Sequence, residues 1–159
     1  MQKVTEKLKD MNVWLYHGQI YIPNSYSAGA TGSRFLIALR DKARIMGTRC
    51  QTCNRVYVPA RSVCKDCFAQ LDEWVEVSNK GTVLSYSIDY GPKPIIQPVE
   101  PPIIYGIIQL DGSDTGLVHM LGEVDPEQLR IGMRVQAVFK PKEKRQASIL
   151  DIKYFKPIS

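Results

Sequence analysis

Apolar positions change their spacing several times along this chain, and each change marks an element. Residues 2–11 place Val4, Leu8 and Met11 at helical intervals among Lys and Glu, which predicts a short amphipathic helix with a narrow apolar stripe. Residues 14–22 are apolar and aromatic, and Pro23-Asn24 ends them. Residues 25–32 are small and polar and read as a loop. No Gly-Lys-Ser/Thr follows, so this is not a phosphate-cradling P-loop. Ser33 stands where a helix N-cap belongs, because Phe35, Leu39, Ala43 and Met46 then share one face. Gly47 supplies the expected stop. Residues 68–74 read as a linker with Trp74 as a large aromatic anchor.

From residue 75 onward the period falls to two, broken by Gly and Pro. Residues 82–90 carry Leu84, Tyr86, Ile88 and Tyr90 on what reads as one core-facing side of a strand. Residues 91–102 form a stiff, proline-rich loop. Residues 103–110 are apolar enough for a strand covered on both sides. Asp111 and Asp114 fall in a turn, where Asp favours local backbone bonding. Residues 117–124 are the third strand, and Pro126 opens a single helical turn. Met133, Val135, Ala137 and Phe139 alternate in the fourth strand, and residues 148–155 are the fifth. Five short strands with a helical turn between the third and fourth predict an OB-type barrel. The proline-rich loop and the basic loop after Phe139 would flank its usual ligand face.

Composition narrows the class. The chain has 159 residues, 44% hydrophobic and 23% charged, which suits a soluble globular protein of one domain or two small ones. No run of about 18 apolar residues occurs, so no membrane span is expected. The first residues lack an apolar h-region, so no secretory signal is expected. Net charge is +5, but between Arg34 and Lys65 eight cations face the single acid Asp41. Lys140, Lys142, Lys144 and Arg145 form a second cluster, diluted by Glu143. Such local fields favour an anionic partner, be it nucleic acid, a phosphorylated cofactor or an acidic protein surface, although a plain solvated face has the same composition.

All four cysteines fall in one stretch, as two C-x-x-C pairs: Cys50 with Cys53, and Cys64 with Cys67. Each pair sets two thiolates on a tight turn, and two such knuckles make a tetrahedral sulfur site of the kind zinc prefers. Iron in the same cage, or disulfide and redox use, are the alternatives. A closed shell leaves no open position for water, so the metal holds the fold and does not catalyse. The apolar Val56-Tyr57-Val58 reads as a short hairpin strand beside it. Cysteines spaced as ligands, with none left over, agree with a cytoplasmic location.

The combined motif resembles a known family. It runs from Gly47-Thr-Arg-Cys50 through Val56-Tyr57-Val58-Pro59-x-Arg61-x-x-Cys64-x-x-Cys67 to Trp74. It continues with Gly81-Thr-Val-Leu-Ser85, Pro101-Pro102 and Leu129-x-x-Gly132-Met133-x-Val135. Upstream, Tyr26-Ser27-Ala28-Gly29-x-x-Gly32-Ser33-Arg34-Phe35 also fits. These residues are similar to the zinc-ribbon plus OB-fold family of acyl-CoA-associated proteins that accompany thiolase-superfamily enzymes. Ala60 and Lys65 stand where that family often has proline.

The resemblance implies a mainly β fold with N-terminal helices: an N-terminal helical extension over residues 1–46, a rubredoxin-like zinc ribbon over 47–74, and a five-stranded OB-fold barrel over 75–159. It implies structural zinc and a non-catalytic subunit beside a thiolase-fold enzyme, in a 2:2 or larger hetero-oligomer, completing or shielding a site for coenzyme A or an acyl-CoA ester. Such subunits accompany thiolases, benzoylsuccinyl-CoA thiolase among them, as well as hydroxymethylglutaryl-CoA synthases and aldolases of steroid side-chain breakdown. Arg34, Arg49, Arg61 and Lys65 are then the candidates for the coenzyme's phosphates, since arginine grips phosphate bidentately. Tyr57 and Trp74 are candidates to cover its adenine.

The residue inventory agrees with a non-catalytic role. A thiolase needs a free cysteine with a histidine base, and here every cysteine is a metal candidate. His119 sits among apolar strand residues and reads as packed, leaving His17 as the other histidine. Ser85 and Ser87 lack a G-x-S-x-G setting. The alternative function is single-strand nucleic-acid binding, which zinc ribbons and OB folds also perform through a basic groove and stacked aromatics. Tyr86 and Tyr90 read as core and count against it.

Overall fold

The computed structural model describes residue 22, residues 25–91 and residues 100–158. The helix expected over residues 2–11, His17, nearly all of the aromatic run at 14–22 and most of the proline-rich loop lie outside the described residues.

Helix α1 spans Gly29–Lys42. It starts earlier than the sequence suggests, so Ser33 is interior and not the cap. The Ser27 hydroxyl instead accepts from the Gly29 amide at 3.1 Å. The first turn, Gly-Ala-Thr-Gly, carries no apolar period and so left no mark in the pattern. Phe35 and Leu39 are buried, as expected. The helix stops at Ala43, whose left-handed backbone (φ 51°) turns its amide back to Leu39 O at 3.1 Å. Gly47 is not the stop. It lies within a strand, where a Cβ would meet Tyr57 O at 2.8 Å.

Three strands form the first sheet, in the order β2-β1-β3: β1 Ile45–Arg49, β2 Val56–Tyr57 and β3 Glu73–Val77. All pairs are antiparallel, and Thr48 stands opposite Tyr57 on one side and Trp74 on the other. Glu73 and Trp74 therefore open a paired strand and are not part of a linker. Their partner lies a metal loop away, so the pairing is invisible locally.

The remaining strands close a barrel in the order β4-β5-β6-β8-β7. They are β4 Lys80–Asp89, β5 Ile103–Leu110, β6 Gly116–Leu121, β7 Arg134–Phe139 and β8 Ile152–Pro157. β7 returns to β4, and a 3-10 turn at Pro126–Gln128 separates β6 from β7. This is the expected five-stranded OB-type barrel. The fifth strand begins late, because Ile149–Asp151 form a 3-10 turn closed by a Ser148–Asp151 capping box. Val83, Ile108, Val135, Ile152 and Phe155 fill the barrel, and one continuous apolar core links them to Phe35 and Leu39 of α1.

The face assigned to the first barrel strand needs correction in part: Ile88 packs on the core as expected, while Leu84 and Tyr90 do not. A bulge between Val83 and Ser85 shifts the register, and Leu84 is the extra residue. One inserted residue moves its neighbours to the opposite face. Val83 is fully buried, while Leu84 is 44% and Tyr90 71% exposed. Nor is β5 covered on both sides, since Ile107 is exposed opposite an exposed Val118.

Candidate metal centre

Both cysteine pairs sit on tight turns at the open end of the first sheet. Each turn is closed the same way: Cys50 N donates to Arg55 O at 2.8 Å, and Cys64 N donates to Ala69 O at 2.9 Å. The four sulfurs lie within 4.8 Å of one another. Cys50 Sγ is 3.5 Å from Cys67 Sγ, and Cys64 Sγ is 4.0 Å from Cys53 Sγ. A tetrahedral shell with Zn–S bonds of about 2.3 Å holds its sulfurs about 3.8 Å apart, so the donor set fits zinc in type, number and spacing. Cys50 and Cys64 are fully buried and Cys67 is exposed, so the cage lies at the surface with its back to the protein.

That back wall is Tyr57, which packs with Cys50, Cys64 and Leu71 in a small second core. Its hydroxyl lies 3.1 Å from Cys64 Sγ. Hydrogen bonding from Tyr57 favours the thiolate and draws the Cys64 thiol down to about 6. Cys53 is pushed up to about 12, chiefly through its contact with Cys67. Within a metal cage all four act as thiolates, as metal coordination requires.

The other candidate residues do not converge on one pocket. Tyr57, Thr48 and Trp74 form a cross-strand row on the sheet. The Arg61 guanidinium lies 5.8 Å from the Tyr57 ring centre, and the Arg34 guanidinium 4.4 Å from that of Trp74. Strand alternation puts Arg49 on the opposite face with Glu73, 3.6 Å away. Lys65 is on the second knuckle, 2.6 Å from Asp66, which Arg55 also approaches at 3.4 Å. Tyr57 is fully buried and has no ring face open to an adenine, which corrects its assignment as a cover. Trp74 is half-buried, with Arg34 over its ring.

The structure adds contacts that the sequence did not suggest. Asp114 and Thr115 hold strand β2 from the barrel side: Asp114 Oδ2 accepts from Val56 N, and Thr115 Oγ1 accepts from Val58 N, both at 2.8 Å. The turn residues thus serve a distant strand, which a local reading cannot separate from ordinary turn bonding. The two basic clusters also meet, since Arg145 Nη1 donates to Arg40 O at 3.3 Å and Arg145 Nε to Lys140 O at 2.7 Å. Beside this junction a groove of about 920 Å³ opens on the barrel, with Ile104, Leu121, Ile149, Leu150, Lys140 and Lys153 in its lining. His119 backs the groove and is packed, as expected. It is 5% exposed, its Nδ1 accepts from Met120 N at 2.9 Å, and its Nε2 lies 3.2 Å from Ile149 O.

Comparison with known proteins agrees with both halves of this architecture. Residues 39–73 match the family model described as the rubredoxin-like zinc ribbon domain of ChsH2, and residues 74–140 that of its C-terminal OB-fold domain. A DUF35 domain-containing scaffold protein of Methanocaldococcus jannaschii is 32% identical over 124 residues, covering 76% of this chain and 86% of the relative. One of the same description from Methanothermobacter thermautotrophicus is 27% identical over 121 residues, covering 74% and 89%. Among solved structures, a chain of the Ltp2-ChsH2(DUF35) aldolase superposes with TM-score 0.62 at 22% identity, over 84% of this chain and 98% of that one. A DUF35-family protein of unknown function from Sulfolobus solfataricus superposes with TM-score 0.56 at 26% identity, over 69% and 78%. Four thiols in a zinc-sized cage, a closed five-stranded barrel and this level of identity to the archaeal scaffold proteins place the chain in the DUF35 family, as a zinc ribbon joined to an OB-fold of the ChsH2 kind.

Proposed function

We propose that this chain is a non-catalytic accessory subunit of a thiolase-fold acyl-CoA enzyme, a thiolase, synthase or aldolase. It assembles with the catalytic subunit in a 2:2 or larger hetero-oligomer in the cytoplasm and helps to complete or shield the site for the CoA ester. The observation that carries this reading is the commitment of the described cysteines and of His119 to structure. All four cysteines stand in one cage, and His119 is buried with both ring nitrogens engaged. The names of the relatives point the same way: two are called scaffold proteins, and the ChsH2 chain is part of an aldolase. Zinc in the cage supplies fold stability, held by Cys50, Cys53, Cys64 and Cys67. Arg34 and Arg61 lie along one face of the ribbon sheet and remain the better placed of the phosphate candidates, since Arg49 and Lys65 face acids.

The test is affinity capture of the full chain from its own cell extract at moderate salt, with nuclease added and the bound proteins identified by mass spectrometry. A stoichiometric thiolase-fold subunit is expected. The exposure of Tyr90 and the junction of the two basic clusters favour a second reading, single-strand nucleic-acid binding. Recovery of proteins that depend on RNA or DNA and are lost with nuclease would replace the first reading by this one.

A further inference from the structure

The two knuckles make the same turn, but one residue breaks the likeness. In each, the residue after the second cysteine has a left-handed backbone: Asn54 at φ 54° and Phe68 at φ 59°. Asn is among the few non-glycine residues that take this conformation readily, and a bulky aromatic is not. Phe68 is also 78% exposed. Its amide is fixed to Cys64 O at 3.1 Å, so the metal turn holds the ring outward on a rigid base. Val63, on the same hairpin and bridged to Gln70, is also exposed. Among the described residues the phenyl ring brings strain and exposed apolar surface and joins neither apolar core. Strain held at a rigid, exposed tip marks a site built for contact.

We propose that Phe68 is an anchor of the interface with the catalytic subunit, entering an apolar pocket on that partner. This rests on the accessory-subunit reading above. The charge around the tip argues for an uncharged protein pocket over a polyanion. Arg55 and Lys65, the cations on the knuckles, both lie on Asp66, and a zinc–tetrathiolate cage carries two net negative charges. A nucleic acid or a coenzyme phosphate therefore finds little attraction beside the ring. A second copy of this chain is the other apolar occupant, and the titration below distinguishes it. An aromatic on a rigid support, buried at the centre of an interface, is the usual form of a binding hot spot.

The geometry gives this proposal an unusual signature. Phe68→Gly removes the strained side chain where glycine is at ease, so it should leave the ribbon intact while weakening association. The experiment titrates the zinc-loaded full chain, wild type and F68G, against the catalytic subunit identified by the capture above, with zinc content and melting temperature measured in parallel. F68G is expected to keep one zinc per chain, melt no lower than wild type, and bind the partner about 30-fold or more weakly. F68L, which restores an apolar side chain, should recover part of the loss. F68G binding like wild type would overturn the proposal, and so would loss of zinc together with affinity. Self-association of the wild type that disappears in F68G would assign the ring to a second copy instead. If the wild type captures no thiolase-fold subunit, the accessory reading falls and this proposal with it. An unchanged F68G affinity for a captured subunit removes the anchor alone.

Discussion

Asp114 and Val56, 58 residues apart, exchange two hydrogen bonds. The Val56 amide donates to the Asp114 carboxylate at 2.8 Å, and the Asp114 amide donates to the Val56 carbonyl at 2.9 Å. Thr115 repeats the exchange with Val58, its hydroxyl accepting from Val58 N and donating to Val58 O. The two-residue strand β2 would otherwise present these buried backbone groups unpaired on its outer edge. The barrel turn therefore completes the ribbon sheet, and the two units are joined by directed bonds as well as by a shared apolar core.

Asp114→Ala should cost about 1–2 kcal/mol of stability, because the Val56 amide is left without an acceptor. Asp114→Asn, which still offers an oxygen, should cost less. Urea unfolding of the zinc-loaded chain measures both. Hydrogen exchange should show faster exchange at the Val56 amide in the alanine variant, with the barrel amides of Ile108 and Val135 unchanged.

Removal of the metal should unfold the ribbon first. Cys50 and Cys64 are buried ligands, so Cys50→Ser or Cys64→Ser should abolish stoichiometric zinc and release strand β2. Elemental analysis and near-ultraviolet circular dichroism report the two effects separately. Either variant retaining one zinc per chain would show that the four-sulfur assignment is wrong.

His119 sets a pH dependence. Burial holds its folded pKa below the ordinary value of 6.5, while the unfolded chain titrates near that value. The unfolded state thus binds the proton that the folded state refuses, and stability rises with pH across this window. The contribution is fully present above about pH 6.5 and is lost as pH falls through the unfolded value towards the folded one. Urea midpoints followed across about pH 5–8 should show this slope, and His119→Gln should remove it. A slope that survives the substitution would have to come from other groups.

Arg61 and Arg34 separate binding from folding. On the accessory-subunit reading proposed above, Arg61→Ala should raise the apparent KM for the CoA ester without loss of zinc, since its guanidinium is exposed and lies over Tyr57, outside the four-cysteine set. Unchanged kinetics would remove Arg61 from the site. Arg34→Ala should lower stability slightly and shift Trp74 emission, because the guanidinium covers that ring.

Much of this protein is written locally. The cage is legible because C-x-x-C spacing by itself sets two thiolates on one turn. The barrel is legible because period-two strands and the Asp125-Pro126 turn signal need no knowledge of their partners. Phe35 and Leu39 reveal the buried face of α1 for the same reason. The rest waited for tertiary structure. Strand β3 exists because β1 lies beside it. The bulge at Leu84 arises from pairing with β5, and it turns Leu84 outward while Val83 and Ile88 both pack on the core. Tyr57 became the wall of the cage, and Asp114 the support of β2, through contacts with distant segments. Arg145 met Arg40 across 105 residues. Short-range geometry and periodicity are properties of the chain itself. Which side chain faces which across a sheet, and which turn completes another unit's edge, is decided only when distant segments pack.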